Sequence, residues 1–154
     1  MSVEPSWIAE WCPPRPVPSG RPHGSAGVCV VGDRAVLVSP DGLRWTLPGG
    51  RPEPGETAYD ALVREVAEEA CASVISARLL GYARGTCVAG PEEGLVLVRA
   101  MWVAEVSVEP WAPEFEMTHR ELVPAASAFG RVEIETGQEH IFRRHFAEAG
   151  LPAH

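Results

Sequence analysis

Glu65, Glu68 and Glu69 stand at positions i, i+3 and i+4, so on a helix their carboxylates converge on one edge. Leu62 and Val66, one turn apart, mark an apolar stripe, with Tyr59 and Ala70 nearby. Glu69 falls seven residues after Leu62, almost on that stripe. An unpaired ionised carboxylate there costs several kcal/mol. Clustered carboxylates repel one another and take up protons unless cations neutralise them. Their hard oxygen atoms suit Mg²⁺ or Mn²⁺, and a divalent cation suits chemistry at a phosphate. Glu53, Glu56, Asp60 and Arg64 lie in the same loop and helix. Thr57, with Asp60 three residues on, reads as an N-cap with its capping-box partner.

The order Gly50, five residues, Glu56, seven residues, Arg64-Glu65-Val66-Ala67-Glu68-Glu69 resembles the signature of the Nudix hydrolases. Trp45-Thr46-Leu47-Pro48-Gly49 looks like the strand and turn that lead into it. Cys71 departs from the pattern, which has glycine there to end the helix in the left-handed conformation. The resemblance implies an α/β fold, an α/β/α sandwich with a mixed β-sheet between helices. It implies cleavage of a pyrophosphate bond in a nucleoside diphosphate linked to another group, with Mg²⁺ or Mn²⁺ as cofactor. Glu65, Glu68 and Glu69 would then be the catalytic, metal-holding residues, with the carbonyl of Gly49 as a further ligand. The identity of the general base stays open. Glu56 and Arg64 would pair and brace the loop against the helix. A further acid from a loop beyond the signature would be Glu116, with Glu114 behind it. Markers of the ADP-ribose and NADH subclasses are absent.

Composition narrows the partners. The net charge of −8 over 154 residues argues against stable nucleic-acid binding. All 13 basic residues are arginine, so a phosphate clamp must use guanidinium groups. Arg44, Arg51, Arg84 and Arg99 are candidates for phosphate, of which Arg51 is taken as substrate-binding. Trp45 and Trp111 are the aromatic candidates for stacking on a base, with Tyr82 and Trp102 behind them. Cys12, Cys29, Cys71 and Cys87 match no zinc spacing. With no long apolar run and no signal peptide, the expectation is a cytoplasmic protein that acts on a small nucleotide away from membranes. It could pair with a second copy as a homodimer.

The positioning elements follow from the pattern. Residues 1–23 form a proline-rich arm, with Trp7 and Trp11 able to pack on the domain or on a second subunit, and residues 24–154 form the catalytic domain. Strands are expected either side of Gly32-Asp33, over Arg44–Leu47, over 74–89 and 94–107, and at Glu121–Val123. A short helical turn should follow Pro124, and a last helix should present Ile141, Phe142 and Phe146 after a Thr136–Glu139 capping box. His140 and His145, five apart, do not share a face and make a poor metal pair. Two other functions compete. A Nudix-like domain that binds nucleotide without hydrolysis rests on Cys71, and an interaction module rests on the proline-rich arm.

Overall fold

The computed structural model describes residues 3–154, so the first two residues of the expected arm lie outside the described residues. Strand β1 is Ser6–Cys12, β2 Arg21–Val31, β3 Arg34–Ser39 and β4 Gly49–Gly50. Helix α1 (Ala58–Ala70) leads into β5 (Ala72–Ala89), β6 (Val96–Val108) and β7 (His119–Pro124). Helices α2 (Ala125–Arg131) and α3 (Glu139–Glu148) close the chain. The sheet runs β1-β5-β6-β2-β3-β7, and β4 pairs with β2. Only β2 and β6 are parallel; the other neighbours are antiparallel, so the sheet is mixed.

Period-2 alternation divides the core between the two faces. Cys29, Val36 and Val38 face Leu62, Val66 and Ala70 of α1. Val28, Ala35 and Leu37 face Phe129 of α2 and Phe146 of α3. The sandwich expected from the sequence is therefore present, with α1 alone on one side. Gly32-Asp33 makes the expected two-residue hairpin, with Val31 opposite Arg34.

Three local expectations fail. Arg44–Leu47 forms only isolated bridges, Thr46 to Val38 and Trp45 to Val132. The Asp41 carboxylate accepts from the amides of Leu43 and Arg44 at 2.9 Å each and curls this segment away from a ladder. The Thr136–Glu139 capping box does not form. Gly137 takes a positive φ of 85°, and α3 starts from Gln138 without a side-chain cap. The boundary at residue 23 does not divide the sheet, because β1 pairs with β5 from Ser6 to Cys12 and β2 already begins at Arg21. Trp11 packs within the domain, 6.2 Å from the His145 ring. The His140 imidazole meets the Ala9 carbonyl at 2.6 Å and ties β1 to α3.

Candidate active site

Helix α1 begins as its sequence dictates. Thr57 Oγ1 accepts from the Asp60 amide and the Asp60 carboxylate accepts from the Thr57 amide, both at 3.1 Å. Ser25 on β2 donates to the Ala58 carbonyl at 2.7 Å and fixes the first turn to the sheet. The last turn ends at Cys71, in the left-handed region at φ 50°, ψ 51°, with its amide on the Ala67 carbonyl at 3.2 Å. The helix thus terminates as a glycine would terminate it. The Arg120 guanidinium completes the end by donating to the carbonyls of Ala70, Cys71 and Glu109. The sequence carried no local sign of that partner, since Arg120 arrives from β7.

Two glycines set the distance between loop and helix. A methyl group on Gly50 would lie 2.6–2.8 Å from the Glu65 carboxylate, and one on Gly49 would lie 2.3 Å from the Ser25 carbonyl. At Gly49 the obstacle is backbone, so glycine is required there whatever its φ; at Gly50 it is the end of the Glu65 side chain, which a methyl group would displace. The Gly49 amide donates to Glu69 Oε1 at 2.9 Å. Glu65, Glu69 and Gly49 are in this way brought together with the start of β2.

Arg64 lies between the loop and the carboxylates. Its Nε and Nη2 donate to Glu56 at 2.8 and 2.9 Å, and Nη2 also reaches the Arg51 carbonyl at 2.9 Å. Its Nη1 donates to Glu65 at 2.7 Å and to Glu68 at 3.2 Å. Arg64 and the Glu53 amide hold Glu56 below the usual carboxylate range, and Glu56 in turn raises Arg64. Glu56 and Arg64 thus form an ion pair between the loop and the helix. Arg64 also bonds two of the three glutamates.

Glu69 is different. Burial pushes it up to about 7, against the Gly49 amide, and the charges of Glu65, Glu116 and Glu68 add to the rise. Burial also raises Glu65, with Glu68 and Glu116 acting in the same direction and Arg64 opposing them. Glu116 therefore lies close enough for its charge to reach both residues. Among the described residues no three His, Cys, Asp or Glu side chains are gathered around a single point that could hold a metal. Arg64 instead takes up Glu65 and Glu68, while Glu69 turns to Gly49. The set still fits a hard cation in kind: all-oxygen donors, mutually repelling, with Glu69 lacking any cationic partner.

A cleft of about 210 Å³ opens beside these residues, lined by Gly49, Gly50, Glu69, Arg99, Met117 and Phe142 among others. Through Thr46, Arg99, Met101 and Phe142 it adjoins a larger cavity of about 560 Å³ between the sheet and the 133–138 segment. Trp45 and Trp111 line neither. Trp45 packs with the α2–α3 core and lies under Arg131, and Trp111 lies under Arg120. The aromatic residues on the walls are Trp7 and Phe142, which the sequence could not single out.

The geometry agrees with what comparison finds. The NUDIX domain family matches residues 21–146. The chain belongs to the NUDIX family. A curated relative from Bacillus subtilis, a putative 8-oxo-dGTP diphosphatase, is 34% identical over 90 residues. That match covers 58% of this chain and 54% of the relative, so the chain spans about half the relative's length. The fold superposes on the Bacillus subtilis pyrophosphohydrolase BsRppH (E68A mutant) with TM-score 0.66 at 22% identity, covering 92% of this chain and 91% of that one. A NUDIX hydrolase from Nitrosomonas europaea gives TM-score 0.62 at 22% identity, covering 86% and 91%. The MutT protein from Bacillus halodurans gives 0.62 at 20%, covering 77% and 78%. No helix among the described residues is long and apolar enough to cross a membrane.

Proposed function

We propose that this NUDIX protein is a pyrophosphohydrolase that cleaves a phosphoanhydride bond in a nucleoside diphosphate linked to a further group. The observation that carries the reading is Glu69, a half-buried carboxylate on the wall of a cleft, raised by burial and by three neighbouring acids, with no cation to balance it. Glu65, Glu68 and Glu69 would hold Mg²⁺ or Mn²⁺, with Glu116 and the Gly49 carbonyl as further donors. When bound, the cation supplies charge neutralisation at phosphorus and an acidified water. The chain's own residues do the rest. Gly49 orients Glu69 through its amide, and Gly50 lets Glu65 close on the loop. Arg64 keeps Glu65 and Glu68 from folding away while Glu56 anchors it. The larger cavity would take the nucleoside, and Trp7 and Phe142 supply its aromatic surface.

The relative's name makes dGTP and its 8-oxo form the first substrates to try. Phosphate and pyrophosphate release would be followed with Mg²⁺ and Mn²⁺ over deoxynucleoside triphosphates, ADP-ribose, dinucleoside polyphosphates and sugar nucleotides. Turnover that falls at least 100-fold in Glu69→Gln, with unchanged folding, is the expected result. Tight nucleotide binding with no turnover of any substrate would reject hydrolysis in favour of a nucleotide sensor. The cysteine that was the sequence's argument for a sensor ends α1 in the ordinary way and leaves that reading without structural support.

A further inference from the structure

The proposed chemistry leaves Arg120 without a part, although among the described residues no other side chain bonds three backbone carbonyls. Period-2 alternation puts it on the α1 face of β7, opposite Val38, while Leu122 lies opposite Val36 and packs beneath the helix. From there Nη1 donates to the Ala70 and Cys71 carbonyls at 3.0 and 3.2 Å and to the Glu109 carbonyl at 2.8 Å. The first two carbonyls end α1. The third begins the 109–118 segment that joins β6 to β7. The guanidinium carbon also lies over the Trp111 ring of that segment, 5.3 Å from its centroid.

The segment is tied to the helix end twice more. The Glu109 amide donates to the Cys71 carbonyl at 2.8 Å. The Cys71 thiol meets the Ala112 carbonyl at 3.6 Å, a contact that glycine at this position could not make. At the far end, the Thr118 amide donates to the Ser39 carbonyl at 2.9 Å and Thr118 Oγ1 to the Pro40 carbonyl at 2.8 Å. Between these ties, residues 113–117 make no backbone hydrogen bond among the described residues, and residues 112–116 are exposed. The position of this short span therefore follows from its two held ends. Its last residue, Met117, lines the cleft with Glu69, Gly49 and Gly50. Glu116 stands immediately before it, with its charge felt at Glu65 and Glu69.

We propose that Arg120 is a positioning residue for the cation site: it clamps the 109–118 segment to the end of α1 and so holds Glu116 within reach of the Glu65–Glu69 edge. This rests on the functional reading above, in which Glu116 is a donor to Mg²⁺ or Mn²⁺. Among the described residues the acids are not gathered around one point, so an arriving cation must draw Glu116 in. The cost of that step grows with the freedom the segment has to lose. Arginine suits the task because its flat face stacks on Trp111 while its edge keeps the carbonyls; a lysine ammonium has no such face.

The test is a double-mutant cycle on the whole chain, read by Mn²⁺ binding without nucleotide and by the urea midpoint. Arg120→Met and Glu116→Gln are each expected to weaken Mn²⁺ binding about tenfold, and the double variant to bind no more weakly than either. The urea midpoint should fall by the same amount on Arg120→Met with or without Glu116. Arg34→Met removes another guanidinium bond to a β7 carbonyl, at Leu122, and should leave Mn²⁺ affinity unchanged. Unchanged Mn²⁺ affinity in Arg120→Met, additive losses in the double variant, or an equal loss in Arg34→Met overturns the proposal. If Arg120→Met does not fold, Trp111→Leu, which removes the stacked ring and leaves the α1 cap, decides by the same cycle. A wild-type protein that shows this coupling and hydrolyses none of the substrates named above would sink the hydrolase reading and keep the clamp. Turnover in a protein whose Mn²⁺ affinity is the same without Arg120 would do the reverse.

Discussion

Arg64 pairs with Glu65 and Glu68, Arg99 lines the cleft beside Glu69, and the two have opposite surroundings. Arg64 on α1 is satisfied on every side, by Glu56, Glu65, Glu68 and the Arg51 carbonyl. Arg99 on β6 makes no side-chain hydrogen bond or ion pair among the described residues and is exposed on the cleft wall. The protein raises the pKa of the first and lowers that of the second. A satisfied cation is part of the scaffold, and its removal leaves acids unpaired. A cation exposed on a cleft wall keeps its water, adds little to the scaffold and stays free to meet an anion from outside the chain.

That contrast can be broken by substitution. Arg64→Gln should destabilise the fold by about 2–4 kcal/mol in urea titration, because Glu56, Glu65 and Glu68 lose their common partner in a half-buried place. Arg99→Gln should leave the urea midpoint nearly unchanged or slightly higher. Equal destabilisation in both would show that Arg99 is scaffold as well. A gentler test of an uncompensated group uses His145. It is fully buried on α3, its Nδ1 has no partner, and burial pushes it down to about 4 with Arg99 adding to the effect. In the unfolded chain the imidazole titrates near 6.5, so between 6.5 and 4 the unfolded state binds a proton that the native state refuses. Stability is therefore lost as pH falls through that window, by about 3 kcal/mol from this group. His145→Phe should flatten the urea-midpoint profile there; an unchanged slope would place the acid sensitivity elsewhere. The smallest effect concerns Cys71. Its left-handed backbone is strained for a residue with a side chain, and Cys71→Gly should raise stability by about 1 kcal/mol. A fall would mean that the Cys71 thiol contact with the Ala112 carbonyl outweighs the strain.

The legibility of these regions in the sequence differs for a physical reason. Helix α1 could be read because its determinants are local: Thr57 with Asp60 three residues on, Leu62 with Val66 four on, and the glutamates on one edge. The edge strand β1 could not be read as part of the sheet. Its pairing with β5 joins Trp7 to Cys87, eighty residues away, and proline-rich flanks hide it. The same holds for Arg120, which caps α1 from β7, and for Arg99. As sequence, Arg99 was one of four arginine candidates, and Arg51 was preferred to it. Only the fold shows that Arg44 and Arg84 are ion-paired with acids and that Arg99 is not, among the described residues. The Thr136–Glu139 box shows the reverse error, a good local pattern overruled when Gly137 turned the chain first.

Strand β1 has one more consequence. Pro5, Trp7 and Ala9 line the large cavity, and that wall is an edge strand held by one neighbouring strand and by α3, through His140 at Ala9 and through His145 and Arg144 at Trp11. An edge strand is expected to open at a lower free energy than the sheet as a whole, which faster amide hydrogen exchange in β1 than in β2 would show. The carboxylate cleft is built from α1, β2 and β4 in the middle of the fold and survives such an opening. Opening of β1 would therefore remove one wall of the larger cavity and leave the carboxylates in place.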